Sequence, residues 1–407
     1  MKHLHLNPVR RLAATLLVAL LVPLGAWAQQ YDFTAEVDGN TLYFKITDAT
    51  NHYVSVVSPS SNSWYGFTKP TGAISLPASV TNEATTYTLT AVGNFAFYDC
   101  TDVTAVTIPS AVKSIGNYAF QNTSISALEV DIETIGTRAF SGNKSLASLT
   151  IGPNVKSIDG YAFENCTALE SVTYNATACE PTSGAQYSYI FYGCNHAATL
   201  TIGAGVTSLP NYLFRGFTGL KEVTIPATVT ALGRYVFADC NLDRLVIEDS
   251  TTPLSYNGQY APFYGDAAWS GDHYNYTGCK ITSAYIGRQL NNTYDTTNPT
   301  YMRFANYIEN LELGANVTDI SRQFYTTGGL QNITVNHTTP IAIADDAFCN
   351  TEGMSYTGGN QYGTATLWVP AGKRSAYAAA DGWKNFSEIR PTHFIVNLTA
   401  TKGGTLA

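Results

Sequence analysis

The stretch Ile108–Phe120, IPSAVKSIGNYAF, decides how the rest of the chain is read, because the sequence restates it many times with different polar residues. Alignment on its final Phe gives Phe97, Phe120, Phe140, Phe163, Phe191, Phe214 and Phe237, at spacings of 23, 20, 23, 28, 23 and 23 residues. Upstream of each Phe stands an apolar pair three residues apart, as in Val112/Ile115, Val155/Ile158 and Val229/Leu232. Downstream comes L-x-x-L-x-L, as in Leu146/Leu149/Ile151 and Leu220/Val223/Ile225. A fixed period of this length indicates stacked structural repeats, each too small to bury its apolar face alone.

The physical reading is one coil per repeat. The L-x-x-L-x-L segment forms a short strand with inward apolar residues, and Pro109, Gly152, Gly203 or Pro226 turns the chain out of it. Gly116, Gly136, Gly160 and Gly233 mark a second bend, and the Ala-Phe pair plugs the coil from its far side. The expected fold is a strand-rich α/β solenoid with few short helices and a parallel β-sheet on one face.

Two copies carry a family resemblance: IPSAVKSIGNYAFQNTSISALEV (Ile108–Val130) and IGPNVKSIDGYAFENCTALESV (Ile151–Val172). They resemble the BspA-type bacterial leucine-rich repeat, I-P-x-x-V-x-x-I-G-x-x-A-F-x-x-C-x-x-L, over roughly Leu76–Ile389. The resemblance implies a right-handed stack of coils, and secreted or surface proteins that bind other proteins or cells, often described as adhesins.

The 407-residue length is too great for one ordinary core, and an array accounts for it without a composition break. Residues 1–28 read as a cleaved signal peptide: basic Lys2, Arg10 and Arg11, an apolar Leu12–Leu24, and Ala26-Trp27-Ala28 before Gln29. No later stretch is apolar enough for an integral membrane span. Removing the leader takes the net charge from −8 to −11, a surface that repels nucleic acid at long range.

Residues 29–75 read as an N-terminal cap opening with a hairpin around Asp38-Gly39-Asn40. The solenoid spans 76–368, with inserts at 175–189, 250–280, 288–302 and 350–363. Residues 369–390 form a C-terminal cap, which resembles the closing segment often found in the family. Residues 391–407 read as the start of a further β module, expected to continue past Ala407.

No chemistry-bearing motif emerges. Cys100, Cys166, Cys194 and Cys240 all lie three residues after a repeat Phe, where other copies hold Thr123, Asn143 or Phe217, so this is a packing position rather than a metal site. Cys179 and Cys194 bracket the first insert and are the candidate disulfide. The His residues stand singly, and no nucleophile is accompanied by its base. The protein is expected to be no enzyme and to use no cofactor. Asp249-Ser250-Thr251 and Asp295-Thr296-Thr297 resemble short O-glycosylation acceptor sites of the bacterial group in which this repeat is common.

Solenoids commonly bind along the strand face. The outward residue between the last two apolar strand positions runs Thr107, Glu129, Thr150, Thr173, Thr201, Thr224, Val246, Tyr285, Glu312, Thr334 and Trp368, a Thr ladder that becomes larger and more varied. The later inserts are rich in Tyr spaced by Gly, Asn and Ser, the composition of recognition loops. Tyr256, Tyr260, Tyr264, Trp269, Tyr274, Tyr276, Tyr285 and Trp368 are therefore the candidate ligand surface, for a protein or glycan ligand on host or bacterial surfaces. A carbohydrate-binding accessory protein and a repeat spacer for a further module remain the alternatives.

Overall fold

Segments such as Ser148–Ile151 (SLTI) and Ser171–Tyr174 (SVTY) alternate polar and apolar residues, and this pattern makes a strand with one buried face. The computed structural model stacks them in parallel, with Leu149 beside Val172 and Ile151 beside Tyr174. It describes residues 30–180, 189–264, 279–293, 304–321, 323–325, 327–345, 347–348 and 361–392, and the backbone of 267–270 and 273–276. Eleven such strands, from Ala127–Val130 to Glu388–Pro391, form one sheet in chain order. Every neighbouring pair in it is parallel.

The apolar pair upstream of each Phe builds the opposite wall of the coil. Two-residue strands at Ser114–Ile115, Thr134–Ile135 and Ser157–Ile158 pair in parallel. A second ladder joins Ser208–Leu209, Ala231–Leu232, Leu254–Tyr256 and Leu290–Asn292. Between the walls lies a continuous apolar core.

The Ala-Phe turn closes the third side. Phe97, Phe120, Phe140, Phe163 and Phe191 are fully buried and stack with their planes nearly parallel, with successive centroids 4.9, 5.2, 5.4 and 5.5 Å apart. Phe214, Phe237 and Phe263 prolong the column at 5.8, 5.4 and 5.1 Å. A left-handed residue flanks the plug on each side in the regular coils: Tyr118 (φ 58°) and Asn122 (φ 58°) around Phe120, and Tyr161 (φ 61°) and Asn165 (φ 56°) around Phe163. A left-handed Tyr is strained, and its recurrence means that the stack enforces the turn.

The glycine before this turn has a different reason. A Cβ on Gly116 would sit 2.5 Å from the Asn94 carboxamide oxygen, which accepts a hydrogen bond from the Asn117 amide at 2.8 Å. Coil-to-coil approach, rather than an unusual φ, therefore excludes a side chain there.

Both ends are covered. Phe33–Val37 and Asn40–Asp48 form the expected antiparallel hairpin through left-handed Asp38 and Gly39. Tyr53–Val57 joins that hairpin to the coil by pairing in parallel with Thr85–Val92. Buried Trp64 donates its indole N–H to the Ala96 carbonyl at 3.0 Å. The parallel pairing of Gly72–Ser75 with Val103–Thr107 starts the repeat pattern just before Leu76. At the other end the helix Arg374–Ala379 and the 3-10 turn Trp383–Asn385 bury Tyr377 and Trp383. Their polar atoms reach back to the carbonyls of His337 at 2.9 Å and Ile341 at 2.8 Å.

Two stretches read as inserts supply solenoid walls. Leu254–Tyr256 and Leu290–Asn292 are paired ladder strands, Phe263 is a stacked plug, and Arg288 is wholly buried. Arg288 donates to the carbonyls of Pro226 and Ala227, two strands back in the sheet, at 2.8 and 2.9 Å, which ties three successive coils together.

Candidate functional site

Side chains alternate across a strand, so a residue between two buried neighbours faces outward. The sheet places these outward residues in one row. Glu129, Thr150, Thr173 and Thr201 are direct neighbours, as are Thr224, Val246, Tyr285, Glu312, Thr334, Trp368 and Arg390. The register shift between these two strands lies at Ala198/Thr199, and the Thr199–Glu222 pairing beyond it carries the row on from Thr201 towards Thr224.

The later run carries fixed polar chemistry. Tyr285 donates its hydroxyl to both Asp249 carboxylate oxygens, at 2.9 and 3.0 Å. Burial, followed by its bond and proximity to Asp249, pushes the phenol up to about 12. The ring passes close over Gly314, where a Cβ would lie 2.6 Å from the hydroxyl. On the next strand, Asn310 donates to the Thr282 carbonyl at 2.9 Å and accepts from Asn332 at 2.8 Å. Asn332 accepts in turn from the indole N–H of Trp368 at 2.9 Å. The Arg390 guanidinium carbon lies 5.7 Å from the centre of the half-buried Trp368 ring. Glu312 is exposed and accepts from Asn336 at 2.9 Å. Asn310, Glu312, Asn332 and Trp368, with Ser283, Leu311, Thr334 and Thr392, line an open trough of about 650 Å³.

The eight aromatic residues singled out in the sequence do not form one surface. Tyr285 and Trp368 lie on the sheet face. Tyr256 is only 1% exposed, with its ring edge-on to Phe304 at 5.3 Å, so its candidacy as a ligand residue is corrected: the short-strand ladder turns it into the core. Tyr260 and Tyr264 are half-buried beside Tyr235, with ring centres 5.5 and 6.0 Å from it, and belong to the Ala-Phe turn region. Trp269 faces Tyr274 in an antiparallel hairpin that also contains Tyr276, and the side chains of these three lie outside the described residues. Asn310 and Asn332 were missed. The sequence signal that could have found them is the recurrence of Asn three residues before the final strand apolar residue, in NLEL and NITV.

The cysteine reading is also sharpened. The thiols of Cys166, Cys194 and Cys240 donate to the carbonyls of Phe140, Phe163 and Phe214 in the coil before, at 3.4, 3.1 and 3.2 Å. Asn143 serves Phe120 likewise at 2.8 Å, and Thr123 bonds the same carbonyl at 3.1 Å. Cys, Asn and Thr therefore share a donor role in addition to filling space. The Cys179–Cys194 disulfide is not formed: both are free thiols, Cys179 against Tyr174 and Cys194 in the buried donor row beside Cys166. Cys349 lies outside the described residues. Among the described residues no three His, Cys, Asp or Glu side chains converge in a way that could hold a metal ion, and no helix is long and apolar enough to cross a membrane.

Comparison with known proteins adds to this geometry. The family model described as BspA type leucine rich repeat region (6 copies) matches residues 77–183, 179–261 and 272–356. A leucine rich cell surface protein of Faecalibacterium prausnitzii is similar at 18% identity, over 89% of this chain and 95% of its own, with a TM-score of 0.37. A leucine-rich repeat protein of Bacteroides ovatus is 15% identical over 89% and 100% of the two chains, with a TM-score of 0.34. The pneumococcal vaccine antigen PcpA is 13% identical over 89% and 99%, with a TM-score of 0.33. A search of curated proteins returns no match.

Proposed function

The chain belongs to the BspA-type leucine-rich repeat family, and from that premise we propose that it is an exported, non-enzymatic binding protein of the cell surface or surroundings. In this reading it acts in the manner of an adhesin and recognises a host or bacterial protein through the later half of its long sheet. The observation that carries the reading is the change along the outward row. Four neighbouring strands present Glu129 and three threonines, which β-propensity alone accounts for. From Val246 onward the row holds Tyr285, Glu312, Thr334 and Trp368, with Tyr285 and Trp368 held by hydrogen bonds. Rigid aromatic anchors among adaptable polar groups are what recognition surfaces use. The signal-peptide pattern of residues 1–28 supports export.

Deleting 250–307 is unsuitable as a test, since it would remove Phe263 and three paired strands from the core. A better test is capture of extracellular proteins by the purified chain and by a Val246→Arg/Thr334→Arg variant. Capture should fall at least tenfold in that variant and stay unchanged in Thr150→Arg/Thr173→Arg. Equal loss in both variants, or in neither, would remove the later half of the sheet as the binding face.

A further inference from the structure

The trough beside Trp368 is built more specifically than a general contact face. It draws residues from strands Lys280–Arg288, Tyr307–Asn316, Asn332–Val335 and Thr366–Val369, which the stack brings side by side. Its lining contains one carboxylate, Glu312, and no cation. The lining aromatic is Trp368, whose orientation is set at two points, by the bond to Asn332 and by the Arg390 guanidinium near its ring.

The amide row defines what the trough can bind. A primary amide has two N–H donors and two carbonyl lone pairs. Asn310 uses one donor on Thr282 and one lone pair on Asn332, while Asn332 uses one donor on Asn310 and one lone pair on Trp368. Each therefore keeps one donor and one acceptor, locked in place by the bonds already made. Vicinal hydroxyls of a sugar ring, each able to donate and accept, complement such pairs. The C–H face of the same ring complements the electron-rich face of an indole. An anionic ligand would meet Glu312, and Arg390 beside Trp368 is already ion-paired with Glu388. An extended peptide adding as a strand needs a free sheet edge, and the strands here are paired on both sides. The volume of about 650 Å³ falls within the usual range for small-ligand sites.

We propose that this trough is a sugar-binding subsite for a neutral pyranose ring, stacked on Trp368 and hydrogen-bonded through its hydroxyls to Asn310, Asn332 and Glu312. The proposal deepens the reading of the later sheet half as the ligand face and rests on it. The ring is one unit either of a glycan carried by a protein or of a bacterial polysaccharide.

The test probes the full purified chain with a microarray of neutral oligosaccharides of glucose, galactose, mannose and N-acetylglucosamine, one arm from glycoproteins and one from bacterial polysaccharides. Each oligosaccharide retained is then titrated calorimetrically. Trp368→Ala and Asn332→Ala should each weaken binding at least tenfold, Trp368→Phe should lose less, and Thr173→Ala should leave it unchanged. Unfolding midpoints check that the variants are folded, and the exposed Glu312→Gln gives a second reading that leaves the core untouched, with a two- to tenfold loss. The arm that supplies the retained oligosaccharides identifies the source. If the folded wild type retains no neutral saccharide, or Trp368→Ala and Asn332→Ala bind as wild type does, the subsite is wrong. Face-dependent capture of a deglycosylated protein without any saccharide binding would sink the subsite and leave the broader reading standing. Saccharide binding lost in Trp368→Ala, without face-dependent protein capture, would do the reverse.

Discussion

Replacing Phe140 with Ala tests whether the plug column holds the coils together. The ring is fully buried and lies between Phe120 and Phe163, with centroids 5.2 and 5.4 Å away and planes within 4° and 5° of parallel. Truncation of a buried Phe costs about 3–5 kcal/mol through lost transfer energy and the cavity left behind. The upper part of that range applies here, because rings held in register above and below have little freedom to collapse into the space, and each stacked pair contributes a further ~0.5–1.5 kcal/mol. We expect about 4–5 kcal/mol for Phe140→Ala and about 1–1.5 kcal/mol for Phe140→Leu, which keeps most of the volume and loses the stacking. Urea unfolding followed by circular dichroism gives both values. Since coils touch only their neighbours, Phe140→Ala should also uncouple the two halves, so that Trp64 and Trp383 report different fluorescence midpoints. A cost below about 1.5 kcal/mol, or equal costs for Ala and Leu, would refute the column as the source of cohesion.

Two further outcomes follow from buried polar groups. Arg288→Met keeps an apolar stem and leaves the Ala227 carbonyl without its donor, while Pro226 keeps the bond from the Val229 amide, so stability should fall by about 1–3 kcal/mol in the same urea assay. Stability should also decline in alkali. Burial pushes Cys100 and Cys240 up to about 12 and raises Cys166 and Cys279 well above the ordinary thiol value. Folding thus favours the protonated thiols, and their contribution is complete below the unfolded thiol pKa of about 8.5 and lost as pH rises toward about 12. Urea midpoints from pH 7 to 11 should fall above about pH 9, with a shallower slope in Cys240→Ser; a flat profile would contradict the burial argument.

The parts of the fold legible in the sequence are those that repeat. Strand and plug each follow from local patterns, and the outward row from Glu129 to Trp368 follows from alternation alone. Where repetition fails, reading by composition failed with it. Tyr256, in a Tyr-rich stretch, resembles a loop aromatic by its neighbours in sequence, yet pairing with Leu290–Asn292 turns it inward. The cysteine position was legible as buried but not as a donor, because its acceptor is a carbonyl in the preceding coil.

The sequence by itself determined the solenoid, its period and the walls of the regular coils, since all of these depend on spacing along the chain. Only the tertiary structure decided which exposed residues meet. Ser283, Asn310, Asn332 and Trp368 are separated by 22 to 36 residues and become neighbours through strand register. Their amide-to-indole chain exists because stacked strands lie about 4.8 Å apart, within reach of a hydrogen bond between side chains. An insert's length and composition do not show whether the chain leaves the core or returns to it. That is settled by which neighbouring coil offers backbone partners and apolar surface.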